Sequence, residues 1–486
     1  MTETITAQSV VVPVSVQGFF LDGKWVEEGE PVEVHAPYDG AVIGHVARGR
    51  REHALAAIAA AVKAFGTTRR LPAFERQRAL RQVAHNIQSR KEEFARTLAL
   101  ESGKPIKAAR AEVERGVHTF NVAAEESTRI YGEYLPLDWQ QSTAGRWGIV
   151  RRFPVGPIAG ITPFNFPLNL VAHKVAPAMA AGCPIVIKPS PHTPLTALLL
   201  AEAVQHAGWP DGGLNVVPLS NEDTGVLVTD ERLKLISFTG SAAVGWQIKK
   251  NAGKKKVALE LGGNCAVLVH GDADLAYAAD RCVAGAFSYA GQAGTSVQRI
   301  LVERNACGKF IDLLLGGVKK LRLGDPLEES TDLGPMIRES EAVRALEWVQ
   351  EAVRTGARLL CGGRRHGSLL EATVLTGTRP DMKVNKEEIF APVVTVEPYD
   401  DFNEVLRQVN NSAYGLHAGI FTRDVKLLFN AYEELEVGAV VAGDVPTFRI
   451  DHMPYGGVKD SGIGREGLRY AIEEMTEPRL LVMNLR

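Results

Sequence analysis

Cysteine is scarce in this chain. Cys183, Cys265, Cys282, Cys307 and Cys361 are five thiols in 486 residues, an odd number with no C-x-x-C pair. That pattern argues against a disulfide framework, offers no metal-ligand spacing and fits reduced thiols in a cytoplasmic protein. A surplus of positive charge is also missing, since 55 Lys and Arg stand against 57 Asp and Glu for a net charge of −2. With no basic excess to neutralise phosphates, a dedicated nucleic-acid binder is not expected. Long apolar runs are absent as well. The best decoy, residues 153–172, carries no charge, but Pro154, Pro157, Pro163 and Pro167 lie inside it with Asn165 and Asn169. Prolines at that density break a spanning helix, so no membrane partner is expected. The N-terminal MTETITAQSVVVPVSVQ has no basic region and its apolar stretch is interrupted by Pro13, which does not support a secretory leader.

What is present is an ordinary globular composition, 45% hydrophobic and 23% charged. The length allows roughly two to four domains and a large core. The 47 glycines are scattered at turns, as in an enzyme with many tight connections. Residues 17–27 alternate about Asp22-Gly23 and read as a β-hairpin. From about Arg50 to Ala124 the pattern is helical, with Leu80, Val83 and Ile87 on one face, then Phe94 and Leu98. At least three amphipathic helices are expected there, and nothing in them signals chemistry.

Between about 145 and 270 the texture changes to short apolar runs that end in Gly, Pro, Asn or Ser: GIVRRFPVG, PIAGITPFNFP, CPIVIKPS, LNVVP, LKLISFTGS and KVALELGG. Most are followed by a helical pattern, such as Leu195 to Ala207. Strands alternating with helices imply a parallel sheet whose C-terminal strand ends carry ligand loops. A second α/β domain of similar size continues from CAVLV (265–269) through a helix at 275–289 and a strand at Arg299 to Glu303, to PVVTVEPY (392–399) and GLHAGIFT (415–422). No internal repeat makes one half a copy of the other. The last run, RLLVMNL (479–485), follows a helix at about 466–475 and needs a partner strand from elsewhere, another subunit being one source.

Candidate chemistry sits at the ends of these runs. In PFNFP (163–167) the prolines stiffen the chain, so Asn165 reads either as a rigid amide donor suited to an oxyanion hole or as a turn residue capping its own backbone. Lys188, ending IVIK, is a cation at the ligand edge of the sheet or a solvated lysine. FTGS (238–241), with Gly245 after it, lets backbone approach a phosphate at a helix N-terminus, although the G-x-G-x-x-G spacing is absent. Glu260 lies between leucines, where burial would raise its pKa towards that of a general base, or where it is a salt-bridged structural acid. Glu388 in EEIFAP either accepts hydrogen bonds from ribose hydroxyls or is a solvated loop carboxylate.

Together, PFNFP, IVIKPS, FTGS, LELGG, GQAGTS, EEIFAP and PYGGVKDSGIGRE occur in the order and approximate spacing of the aldehyde dehydrogenase superfamily, and the resemblance runs from about residue 17 to the end. The chain is similar in particular to the bacterial and archaeal branch acting on small aldehydes such as lactaldehyde or glyceraldehyde 3-phosphate. The resemblance implies an α/β fold in three parts. These are a Rossmann-like cofactor domain (1–129 and 150–262), an α/β catalytic domain (263–465) and a small β element for assembly as a dimer or tetramer (130–149 and 466–486), which supplies RLLVMNL with its partner. It implies a small-molecule aldehyde as substrate and NAD or NADP as cofactor. Asn165 and the backbone amide of residue 294 would donate to an oxyanion, and Glu260 would activate water, with Lys174 and Glu466 as a proton path. The dinucleotide would lie along Thr162, Pro163, Phe164, Gly240, Gly245 and Phe390, with Lys188 on the adenosine ribose, Ser241 on the pyrophosphate and Glu388 on the nicotinamide ribose. Pro191 stands where many NAD-using relatives place a Glu that repels a 2′-phosphate, so NAD and NADP both stay open.

One departure matters most. Where the family has Gly-Gln-x-Cys, this chain reads Gly291-Gln292-Ala293-Gly294, so the nucleophilic thiol is missing. Hydride transfer from an aldehyde first needs a tetrahedral adduct on that thiol. The hydroxyls of Thr295 and Ser296 are poor substitutes, and Cys265, close to Glu260 along the chain, is not expected to face the same ligand. The chain as written is therefore expected to be inactive as a dehydrogenase. Either an engineered glycine replaces a native cysteine, or this is a natural pseudoenzyme that binds nucleotide or aldehyde; the retention of Asn165, Lys188 and Glu260 favours the first. In DVPTFRIDHMPYGG (444–457), Tyr455 keeps an aromatic wall position and Arg449 replaces another. His173 and Thr295 would face the same mouth. Arg449 either pairs with a phosphate, phosphonate, sulfonate or carboxylate at the far end of a short aldehyde, or bonds Asp444 or Asp451 and only shapes the loop.

Overall fold

The computed structural model describes residues 16–484; most of the stretch read for a leader, up to position 15, and the last two residues lie outside the described residues. Near the start of the described residues is the hairpin of β1 (Phe19–Leu21) and β2 (Lys24–Val26). Asp22 at φ 47° and Gly23 at 77° take the two left-handed positions that a tight twisted turn requires. Four helices follow: α1 (Arg51–Thr68), α2 (Ala73–Ser89), α3 (Lys91–Ser102) and α4 (Ile106–Glu126). Leu80, Val83, Ile87, Phe94 and Leu98 are fully buried, as their spacing requires.

After β3 (Glu133–Pro136) and β4 (Arg146–Pro154) the chain alternates. The order is β5 (Ile158–Ile161), α5 (Asn169–Ala181), β6 (Ile185–Lys188), α6 (Leu195–Gln205) and β7 (Leu214–Val216). Then come β8 (Leu235–Thr239), α7 (Ala242–Asn251) and β9 (Lys256–Glu260). Every residue of β5, β6 and α5 is buried, which is why these runs are mostly apolar and not amphipathic; their polar exceptions, Asn169, His173, Lys174 and Lys188, are buried too. The strands lie side by side as β9-β8-β5-β6-β7, all parallel, and β1 and β2 extend the β7 edge. The chain winds from β5 towards β7 and then returns to the other side of β5 for β8 and β9. Such a reversal opens a crevice at the C-terminal ends of the two central strands.

The second half carries β10 (Cys265–Val269), α8 (Leu275–Phe287), β11 (Val297–Glu303), β12 (Arg358–Cys361), β13 (Thr373–Thr376), β14 (Val393–Tyr399), β15 (His417–Phe421) and β16 (Ala439–Ala442). Their order is β12-β13-β14-β11-β10-β15-β16, parallel except for β12, over a separate core that includes Phe287, Phe310 and Val396. The last elements are β17 (Gly462–Ile463), α9 (Leu468–Glu474) and β18 (Thr476–Asn484).

One expectation is corrected. GIVRRFPVG, read with the parallel strands, is the antiparallel β4, half exposed between β3 and β18. The C-terminal run takes its partner from within the same chain: β18 pairs with β4 from Thr476 opposite Pro154 to Asn484 opposite Arg146. β4 runs through position 150 without a break, β17 adds an antiparallel edge to β9, and Leu468, Ile472 and Met475 of α9 pack into the first core. The final segment is thus tied to the first domain before its strand leaves it. Leu480, Leu481 and Val482 of β18 are about half exposed on a strand paired along one edge. No helix among the described residues is long and apolar enough to cross a membrane.

Candidate active site

Two cavities, of about 410 and about 330 Å³, meet at one point: Asn165, Thr239, Glu260, Leu261 and Gly294 line both. Four of these residues come from the C-terminal ends of β5, β8 and β9, and Gly294 comes from the loop between α8 and β11 of the second domain. The crevice of the first sheet is therefore closed by a loop of the second.

That loop is held in a costly shape. Tyr289, Ala290 and Gly291 follow one another at φ 49°, 53° and 66°. A side chain on Gly291 would lie 2.2 Å from the Ala391 carbonyl oxygen, so glycine is obligatory there. Buried Gln292 fixes the loop, its Oε1 accepting from the Ile337 N–H at 2.8 Å. The Tyr289 hydroxyl donates to the Ser102 carbonyl at 2.9 Å. Asn165 does not cap its own backbone. Its Nδ2 donates to the Gln292 carbonyl at 3.0 Å, which aims the amide at residue 294 and leaves its second N–H free. Gly294 differs from Gly291: its φ is not left-handed, and a Cβ would meet only Leu416 at 3.4 Å and the Leu261 carbonyl at 3.7 Å, ordinary contacts. Backbone geometry does not demand glycine at 294. Cys265 donates its thiol to the Gly294 carbonyl at 3.6 Å from behind the loop, and burial pushes that thiol up to about 12. It lines neither cavity. Thr295 does line the larger one.

The carboxyls at the junction are driven apart. Glu260 is buried, with Oε2 unpartnered, and burial together with nearby Glu466 raises its pKa well above the usual range. Burial opposes the charge of Glu466 too, but Lys174 and Arg449 outweigh it and hold this carboxyl down at about 2. Lys174 donates to Thr239 at 2.9 Å, Ser237 at 3.1 Å and Glu466 at 3.4 Å. Glu260 thus holds its proton more tightly than Glu466, the separation expected of two interacting acids.

Arg449, which lines the larger cavity, bonds neither Asp444 nor Asp451. Asp444 is taken by Arg281 at 2.7 Å, while Arg449 donates to Glu466 at 2.8 Å and lies 3.7 Å from the centre of the Tyr455 ring. Asp451 accepts from Arg115 at 2.9 Å and bonds His173 at 2.8 Å. Burial pulls the His173 imidazole towards its neutral form. Arg115 on α4, Lys104 in the loop before it and Asn169 at the start of α5 line the same cavity and were missed in the sequence. The available signal was Glu112 and Arg115, three apart on a helix whose other inward positions are apolar or small.

The smaller cavity is lined by Pro163, Phe164, Gly240, Ser241, Glu388 and Phe390. Ser241 caps α7 without a side-chain bond, leaving the first-turn N–H groups for an anion. Glu388 is not a solvated carboxylate: burial pushes it up to about 7, and it accepts from the Gly263 N–H at 3.0 Å. Lys188 is buried at the end of β6 with no ion pair, its ammonium drawn down to about 8 by burial. An uncapped helix start, an unpaired buried cation and a carboxyl with a spare oxygen fit a ligand carrying phosphates and ribose. Four expected contributors lie apart from this lining, Lys188 itself among them. Thr162 is buried and donates its N–H to the Lys188 carbonyl at 3.2 Å, and Pro191 lines a separate surface pocket with Tyr38 and His192. Gly245 sits inside α7, where a Cβ would lie 2.3 Å from Leu261, so its role is helix-to-strand packing.

A family model described as the aldehyde dehydrogenase family matches residues 25–481. The chain belongs to that family. Solved structures similar to it include one complexed with NADP and one in complex with NAD+. It is 44% identical to a 3-sulfolactaldehyde dehydrogenase of Priestia aryabhattai over 96% of this chain and 98% of that protein. Among solved structures, aldehyde dehydrogenase 21 from Physcomitrella patens, in complex with the reaction product succinate, superposes with a TM-score of 0.96 at 45% identity, covering 97% of this chain and 99% of that one. The glyceraldehyde-3-phosphate dehydrogenase GapN of Methanocaldococcus jannaschii, complexed with NADP, gives 0.91 at 40% identity over 94% and 100%.

The raised Glu260 pKa has a consequence for stability. An unfolded Glu ionises near 4.5, whereas the folded chain holds this proton to a higher pH. The stability it confers is therefore complete below about pH 4.5 and is lost as pH rises towards the folded value. Thermal melts from about pH 5 to pH 8 should fall less steeply for Glu260→Gln than for the parent. Parallel curves would show that Glu260 is ionised in the fold.

Proposed function

We propose that this chain is the framework of a hydrolytic dehydrogenase for short aldehydes with an anionic far end, arrested because residue 294 bears no thiol. The observation that carries this reading is the junction itself, where two cavities meet at a glycine whose surroundings accept a side chain. When bound, the nicotinamide supplies a hydride acceptor. The free N–H of Asn165 and the backbone N–H of Gly294 stand ready for the oxygen of a tetrahedral adduct, where preorganised donors are most effective. Glu260, buried and with Oε2 unpartnered, takes in its ionised form the proton of the water that releases a free acid, and its raised pKa, set in part by Glu466 beside it, makes it the stronger base of the two carboxyls. Lys188, Ser241 and Glu388 hold the dinucleotide.

The substrate class follows from the cations at the far end. Arg115 and Arg449 line the cavity and each pairs with an acid, and two cations in one cavity wall suit a sulfonate, phosphate or carboxylate. Relatives named for 3-sulfolactaldehyde, and one solved with succinate, support that direction. We also propose self-association through the free edge of β18.

Gly294→Cys is expected to raise aldehyde oxidation by several orders of magnitude, read at the reduced-nicotinamide absorbance band. Equal near-zero rates in both forms with nucleotide binding intact would identify a natural pseudoenzyme instead. In that background Arg449→Ala should raise KM about tenfold for an anionic aldehyde and much less for propanal; an equal loss for both would make Arg449 purely structural. Sedimentation should show a dimer or tetramer that Leu481→Arg with Val482→Arg converts to monomer, and an unchanged oligomer would place the interface elsewhere.

A further inference from the structure

Residue 294 has no side chain, but the polar groups around it are all in place. Apart from its chain neighbours, a Cβ there would meet within 4 Å only Leu416, at 3.4 Å, and the Leu261 carbonyl oxygen, at 3.7 Å. Leu261 directly follows Glu260, and both residues line the two cavities together with Gly294. Glu260 is 5% exposed, and its Oε2 has no hydrogen-bond partner. A buried carboxyl oxygen left unpaired costs stability, and such atoms are rare in folded proteins. Asn165, on the other side of the junction, has one amide N–H on the Gln292 carbonyl and a second to spare. A thiol at 294 would fill the space between base and donors with a nucleophile. Glycine leaves that space wide enough for a water molecule, within reach of the same base.

We infer that the chain as it stands adds water to short aldehydes, converting them to gem-diols. This rests on the base and oxyanion roles of the proposed function and gives them a reaction that needs neither thiol nor nucleotide. A water beside Gly294 passes a proton to ionised Glu260 as its oxygen bonds to the carbonyl carbon and the carbon–oxygen double bond opens. The charge that collects on the former carbonyl oxygen lies against the Asn165 and Gly294 N–H groups. That oxygen then takes the proton from Glu260. Aldehyde and water thus give a gem-diol with no change of oxidation state, and the base is restored.

The test is proton exchange spectroscopy on the unmodified protein without nucleotide, reading magnetisation passed between the aldehyde C–H and the gem-diol C–H of 4-oxobutanoate. The protein should raise this exchange at least about tenfold over buffer, and Glu260→Gln should cut the protein-dependent rate about a hundredfold. Gly294→Ala makes only ordinary contacts but puts a methyl group in the water's place, and should cut the rate about tenfold or more. Both variants should melt cooperatively like the parent, so that a lost rate reports chemistry and not a lost fold. Exchange no faster than in buffer, or a rate unchanged in Glu260→Gln or in Gly294→Ala, would overturn the inference. Propanal separates the two readings: if the protein hydrates it as fast as 4-oxobutanoate, the anionic far end fails and the hydration stands.

Discussion

The buried ion pair between Lys104 and Glu112 is the corner on which the site is hung. Lys104 donates to the Asn165 carbonyl at 3.0 Å, and its ammonium is covered by the rings of Phe166 at 3.7 Å and Tyr289 at 4.4 Å. Glu112 accepts from the Leu168 and Asn169 N–H groups at 3.1 and 3.2 Å, where α5 begins. One pair of charges thus fixes the Asn165 turn, the start of α5 and the strained turn of the second domain. A buried pair repays its desolvation only when extra hydrogen bonds complete it, and here carbonyl, amides and rings do so. Removing one partner would leave an uncompensated charge exactly where both domains meet, which costs about 3 to 5 kcal/mol in typical cases.

From that corner outward the site is organised by charge. Glu466 draws Lys174 from one side and Arg449 from the other, and Glu260 is left as the less acidic member of the carboxyl pair. Asp451 does the same work at the cavity's far end, anchoring Arg115 and His173. Each cation that faces the cavity is held by an acid behind it, so its position is set before any ligand arrives. Against this completeness, residue 294 is anomalous. The loop around it stores strain at Tyr289 and Ala290 and presents an open N–H, yet the position itself has ordinary φ and free space for a side chain.

Much of this was legible in the sequence because the signals were local. The hairpin at Asp22-Gly23, the strand ends carrying Asn165, Lys188, Thr239 and Glu260, and the glycine at 294 are all read from short segments in order. What was illegible depends on distant partners. Lys104 meets the Asn165 carbonyl across 61 residues, and Arg115 meets Asp451 across 336, so neither helix position announced a role. Arg449 has acids five residues before and two after it, but the fold turns it towards Glu466, 17 residues on. GIVRRFPVG has the apolar content of a buried strand, and only its pairing with β3 and β18 shows that it leaves the parallel sheet.

The central claim is that the chain is a complete acyl-transferring site lacking only its nucleophile, and intact mass spectrometry tests it most directly. The double variant Gly294→Cys, Glu260→Gln, mixed with oxidised nucleotide and a short anionic aldehyde, should gain the mass of the aldehyde less two hydrogens. That is the signature of a thioester whose hydrolysis has been slowed, and peptide mapping should place it at residue 294. No adduct under saturating nucleotide, or an adduct mapped to Cys265, would contradict it.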